Sequence, residues 1–199
     1  MKSLIILIGL SALTPVASAQ EVAAWLGLGA AHDGDTHQQF NTFGNGVLYP
    51  TKGIGGPFGH FGMDVFLTKR VGVGFDASWR ASQGTYTGIG FRPTFYSVDA
   101  ILQPARLTTK RVSTEFRAGI GGAVLTFSPD DQQNCVNGPA CQNSHHLQLH
   151  LGVAPRLYVT DHLFVRPAFD VHYVNGFTEF GSNWVTEYSI GIGYGLGRQ

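Results

Sequence analysis

From Trp184 to Leu196 the chain alternates residue by residue. Trp184, Tyr188, Ile190, Ile192, Tyr194 and Leu196 occupy one parity, broken only by Thr186, while Glu187, Ser189, Gly191, Gly193 and Gly195 occupy the other. Successive side chains of a strand point to opposite faces, so this segment predicts a strand with one greasy face and one polar or bare face. The same parity recurs in seven further runs. They are 21–31 (Val22, Ala24, Leu26, Leu28, Ala30), 57–68 (Phe61, Met63, Val65, Leu67 against Gly62, Asp64) and 71–82 (Val71, Val73, Phe75, Ala77, Trp79 against Gly72, Gly74, Asp76, Ser78, Arg80). Next come 91–103 (Tyr96, Val98, Ala100, Leu102 against Phe95, Ser97, Asp99) and 112–127 (Val112, Phe116, Ile120, Val124 against Glu115, Arg117, Gly119, Gly121). The last are 145–159 (Leu147, Leu149, Leu151, Val153, Leu157, Val159 against His146, Gln148, His150, Gly152, Arg156) and 163–174 (Leu163, Val165, Phe169, Val171, Tyr173 against Arg166, Ala168, Asp170, His172). Pro93 interrupts the fourth run. Pro155 and Pro167 fall on the apolar parity, where each forfeits a ladder hydrogen bond and predicts a bulge or local widening.

Parity alone leaves open which face is inside. The contents decide it. One face carries nearly all the large apolar side chains, and the other mixes glycine with Asp64, Asp76, Arg80, Asp99, Glu115, Arg117, Arg156, Arg166, Asp170 and Glu187. A soluble calyx would have to pack its core with the apolar set and turn the glycine-rich charged face to water. The arrangement better suits lipid outside and a narrow polar lumen inside. The predicted fold class is therefore all-β: an eight-stranded antiparallel up-and-down transmembrane β-barrel. Connections alternate in length as such a barrel requires, long over 32–56, 83–90, 128–144 and 175–183, and short over 69–70, 104–111 and 160–162. Short turns face the periplasm and long loops the exterior. Trp79, Tyr173, Trp184 and Tyr188 fall near the outer strand ends, as membrane-interface aromatics do.

Composition sharpens this picture. Lys2 followed by an apolar run and Ala17-Ser18-Ala19 reads as a signal peptide over 1–19, leaving a barrel domain over 20–199. The formal net charge is zero with only 13% charged residues, so no basic footprint for nucleic acid exists. Glycine is abundant, at 27 residues, which suits a tightly curved sheet with little room inside. Cys135 and Cys141, separated by a Gly138-Pro139 turn, predict one disulfide in an oxidising compartment.

Little in the chain predicts chemistry. Opposite charges in a narrow lumen should neutralise one another, since an unpaired buried charge costs several kcal/mol. The four arginines are thus expected to bridge the six inward carboxylates and to fill a space that eight strands leave barely wider than side chains. His146, His150 and His172, with Asp170 or Glu187, could approach one another around a metal, but membership of the polar interior is the expected role. Asn143-Ser144-His145 with Glu179 is a poor nucleophile and base pair, because adjacent strand residues point apart. No catalytic residue, metal site or cofactor is predicted.

The leader, the parity-matched strands, the alternating connections and the terminal Tyr188-x-Ile190-x-Ile192-x-Tyr194 resemble the small outer-membrane β-barrel family typified by the transmembrane domain of outer membrane protein A. That family usually ends on an aromatic residue, whereas this chain ends Gly-Leu-Gly-Arg198-Gln199 and offers Tyr194 instead. The resemblance implies residence in the bacterial outer membrane, contact with its lipid and passage through the barrel-assembly machinery. It also implies a non-enzymatic role supporting the envelope or presenting loops, to a surface partner the residues do not specify. A lipid A-modifying barrel enzyme and a soluble periplasmic ligand-binding calyx are the alternatives.

Overall fold

A computed structural model describes residues 20–34, 39–41, 46–50, 53–86, 89–129, 142–177, 180 and 182–197. The leader, both cysteines, Glu179 and Arg198-Gln199 lie outside the described residues, and so does the predicted disulfide.

Eight long strands form the barrel: β1 (Glu21–Asp33), β2 (Pro57–Phe66), β3 (Val71–Arg80), β4 (Ile89–Leu102), β5 (Val112–Pro129), β6 (Gln142–Tyr158), β7 (Leu163–Val174) and β8 (Trp184–Leu196). Each pairs antiparallel with its sequence neighbour, and β1 pairs with β8 from Val22 opposite Leu196 to Asp33 opposite Val185, which closes the sheet. Closure removes the free edges that an open sheet would expose to lipid. A two-residue ribbon pairs Gln39–Phe40 with Tyr49–Pro50, and Gly84–Tyr86 adds to the outer end of β4.

The parity assignments hold along all eight strands. Leu28, Val98, Ile190 and Ile192 are each about 60% exposed or more on the outside. On the inside, Asp64, Asp99, Glu115, Arg117, Arg156 and Arg166 are buried. This is the reverse of a water-soluble calyx. Trp79, Trp184 and Tyr188 are exposed near the long-loop end, and Tyr173 lies against Trp184 with ring centroids 5.0 Å apart.

Three local expectations come out differently or more sharply. β4 runs unbroken through Pro93, which faces Leu125 of β5 and sits just beyond Thr94, where pairing with β3 ends. Its missing N–H therefore interrupts no β3 ladder. Pro155 and Pro167 fall opposite each other: pairing of β6 with β7 lapses between Leu157–Val165 and Val153–Phe169, then resumes in the same register. The ladder is interrupted there with no inserted residue, so neither proline makes a bulge. β5 and β6 stay paired out to Phe127 and Gln142, so the third long connection is shorter than the predicted 128–144.

Candidate functional site in the barrel lumen

The interior is built from three kinds of layer. At the short-turn end, Ala23, Trp25, Tyr158 and Phe164 form an apolar cluster. Arg156 lies between two rings there, 5.2 Å from the centroid of Phe66 and 4.8 Å from that of Phe164. Its Nη1 donates to Glu21 (2.7 Å), and its Nη2 reaches Asp64 (2.6 Å) and Glu115 (2.5 Å).

Arg117 occupies the middle. Its guanidinium is fully buried and lies 2.9 Å from Asp64, 3.0 Å from Asp99, 3.8 Å from Glu115 and 4.0 Å from Asp76. Arg166 stands 3.5 Å from Glu115 and 4.0 Å over the Trp25 ring. It thus engages the network through charge and a cation–π contact. Planar guanidinium forks suit this crowd of carboxylates, because one head meets several at once.

Above the arginines comes a stack of rings. His150 Nδ1 lies 2.8 Å from Asp99 and its Nε2 lies 3.1 Å from Asp170. A neutral imidazole has one N–H, so donating to both carboxylates takes the doubly protonated ring. His172 stacks on His150 (4.9 Å, 12°) and Phe95 on His172 (5.0 Å, 21°). His172 Nε2 also faces Glu187 at 3.2 Å, whose carboxylate accepts a hydrogen bond from the Ser78 hydroxyl. Toward the long loops, Phe58, Phe91, Phe95, Leu125, Val174 and Val185 meet Ile54, Phe177 and Phe180 from the loops themselves. Asp33 anchors the first loop by accepting a hydrogen bond from the Ile54 N–H at 2.8 Å.

Glycine makes this filling possible. Gly74 pairs with both Asp64 and Asp99, and Gly119 faces Asp99. Gly152 is flanked by Arg117 and Asp170, and Gly193 by Trp25 and Phe164. A methyl group at Gly119 would collide with the Asp99 carboxylate, and one at Gly152 with that of Asp170. Asp99, Asp170, Trp25 and Phe164 thus lie across the space that a bare neighbour leaves open.

Nine of the ten residues predicted for the charge network lie together in this interior. Arg80 is the correction. It shares the inward parity, but its position as the last residue of β3 puts its guanidinium at the long-loop mouth, 4.9 Å over the Phe91 ring, and no carboxylate pairs with it among the described residues. Parity fixes the face of a strand, not the height along it. The expectation that one face holds nearly all the large apolar groups also needs correcting, since aromatic side chains occupy both ends of the lumen. The parity rule places Phe58, Phe91 and Phe164 inside once the strands are drawn; Glu21, Ser78 and Ser97 become legible as partners only after closure.

The histidine and serine candidates separate. His150 and His172 belong to the network, whereas His146 lies near the mouth, with Nε2 2.7 Å from Ser144 Oγ and Nδ1 3.2 Å from the Asn175 carbonyl. Ser144 therefore meets His146, two residues on, and His145 is exposed on the outer face. Among the described residues no group of three His, Cys, Asp or Glu is placed to hold a metal ion.

A closed eight-stranded barrel with an apolar exterior and an ion-paired interior is the architecture of small transmembrane barrels. Solved structures share the barrel fold. Neisserial surface protein A aligns with a TM-score of 0.61 at 11% identity, covering 88% of this chain and 97% of that one. Ail, the attachment invasion locus protein of Yersinia pestis, aligns at 0.54 and 12%, covering 88% and 98%. The outer membrane protein OprG from Pseudomonas aeruginosa aligns at 0.52 and 15%, covering 90% and 97%. No family profile matches the sequence, and no curated protein does. At these identities the likeness is one of fold.

Proposed function

We propose that this chain is a non-enzymatic outer-membrane barrel, exported by a leader over 1–19, that carries surface loops on a lumen closed to solutes. The observation that carries the reading is the filled interior. Ile54, Phe58, Phe91, Phe95, Phe177 and Phe180 pack across the long-loop mouth, over a layer where Arg117, Arg156, Arg166 and His150 tie carboxylates from strands all round the barrel. Interiors of this strand number have room for side chains and little else. The ion pairs cross-link the wall, and the loops are left as the working surface. Among the proteins that share the fold, Ail is an attachment invasion locus protein by name, in keeping with a loop-borne role.

Two measurements test this. The refolded chain in a planar bilayer is expected to give no steady conductance, and a stable open channel would overturn the closed lumen. In fractionated cells, an unboiled band of altered gel mobility is expected in the outer membrane; a soluble periplasmic band sinks the membrane reading. The enzyme alternative has one supporting contact, Ser144 to His146. Mass spectrometry of lipid A from cells carrying S144A or H146A is expected to match the parent, and a change in acylation would revive that alternative.

A further inference from the structure

The three short turns are built to one plan. In each, a threonine hydroxyl accepts the N–H groups two and three residues on, and the threonine N–H donates to the carbonyl three residues on. Thr68 does this to Arg70 and Val71, Thr109 to Arg111 and Val112, and Thr160 to His162 and Leu163. Threonine at the first position therefore has a structural cause, and the aliphatic residue at the fourth opens the outward face of the next strand. The two residues between have no such cause. The third turn makes the same bonds with Asp161-His162, whereas the first two read Thr-Lys-Arg-Val at 68–71 and again at 109–112. The repeated Lys-Arg tip is a choice of charge that the turn does not demand.

Those tips lie side by side. The Gln103 N–H donates to the Arg70 carbonyl at 2.8 Å, joining the first turn to the segment that carries Arg106, Lys110 and Arg111. Lys69, Arg70, Arg106, Lys110 and Arg111 are all exposed, and Asp161 is the one exposed acid on the described short turns. The long connections carry the opposite balance in the sequence, with Asp35, Asp130, Asp131 and Glu179 against Lys52. The height of the basic sector is set by its apolar neighbours. Leu67, Leu102 and Leu107 are each about half exposed, and Leu107 directly follows Arg106. Leucines open to the surroundings beside cations place those cations at the boundary of hydrocarbon and headgroups.

We propose that this sector, which rests on the membrane reading above, binds the phosphodiester headgroups of anionic phospholipids in the leaflet at the short-turn end. The long stems of Lys69, Arg70, Arg106, Lys110 and Arg111 lie along the apolar rim, and their charged heads meet lipid phosphate. The repeated turns thus hold one end of the barrel to phospholipid and leave the acidic loop end to the opposite surface. Each Lys or Arg at an anionic membrane surface strengthens association by about fivefold.

The test uses the full chain refolded in nanodiscs of equimolar phosphatidylcholine and phosphatidylglycerol, with retained lipid read by native mass spectrometry. The wild-type barrel is expected to retain phosphatidylglycerol several-fold over phosphatidylcholine. K69Q/R70Q/R106Q/K110Q/R111Q is expected to lose that selectivity, and R92Q, at the exposed opposite end, to keep it. Molar salt should weaken the wild-type selectivity without any substitution, which covers the case of a quintuple variant that does not fold. Absence of selectivity in the wild type, or its survival in a folded quintuple variant, overturns the proposal. So does binding of soluble peptidoglycan fragments through the same residues without lipid selectivity. Loss of the heat-modifiable band would instead indict the membrane reading itself.

Discussion

Replacing Arg117 with methionine removes the central charge of the lumen and keeps most of its volume. The guanidinium it deletes faces Asp64 at 2.9 Å, Asp99 at 3.0 Å, Glu115 at 3.8 Å and Asp76 at 4.0 Å. The damage is uneven. Asp64 and Glu115 keep Arg156, and Asp99 keeps His150 at 2.8 Å, but Asp76 has no other ion-pair partner among the described residues. Breaking a buried pair by deleting one member costs about 3–5 kcal/mol, and the surviving partners put R117M near about 3 kcal/mol. Urea unfolding in phospholipid vesicles, followed by tryptophan fluorescence, reads this as a lowered midpoint. D76N alone should change stability by no more than about 1 kcal/mol, and R117M/D76N should be less destabilised than R117M, since it leaves one fewer stranded carboxylate. An R117M midpoint equal to wild type would refute the role given to the network. A D76N substitution that brings R117M no relief would refute the way the loss is apportioned.

Other outcomes follow from the same geometry. G119A puts a methyl group against the Asp99 carboxylate and should cost about 1–3 kcal/mol in the same unfolding assay, whereas G34A, with open space around it, should stay within about 0.5 kcal/mol. Leu28 lies mid-strand on the outer face and is 68% exposed. In a bilayer L28R should lose about 2–4 kcal/mol, although an arginine at an equally exposed site in water would be nearly neutral. Peptide mapping without reduction should find both Cys135 and Cys141 protected from a thiol alkylator, and alkylation of the two would remove the predicted disulfide.

Much of this barrel was legible in the chain because a strand's two faces are a local property. Trp184 to Leu196 could be read at sight, and the same parity placed Asp64, Asp99, Arg117 and Asp170 inside without any knowledge of the fold. Glycine on the inward parity was also visible, although its purpose was not. Opposition of Gly119 to Asp99, or of Gly152 to Asp170, depends on strand register, which the alternation pattern constrains only to even shifts. The aromatic ends of the lumen were underread for a related reason. Phe58, Phe91 and Phe164 sit on the inward parity of runs dominated by polar and glycine neighbours.

The sequence by itself determined that eight alternating strands exist, which face of each meets lipid, and where the short connections fall. All of these depend on residues within a few positions of one another. Tertiary structure decided the partners: Glu21 with Arg156 across 135 positions, Ser78 with Glu187 across 109, and Arg80 at the mouth with Phe91 instead of in the network. Such contacts follow from the height at which each strand enters the closed wall. That height is set when β1 meets β8 and the stagger of the whole sheet is fixed at once.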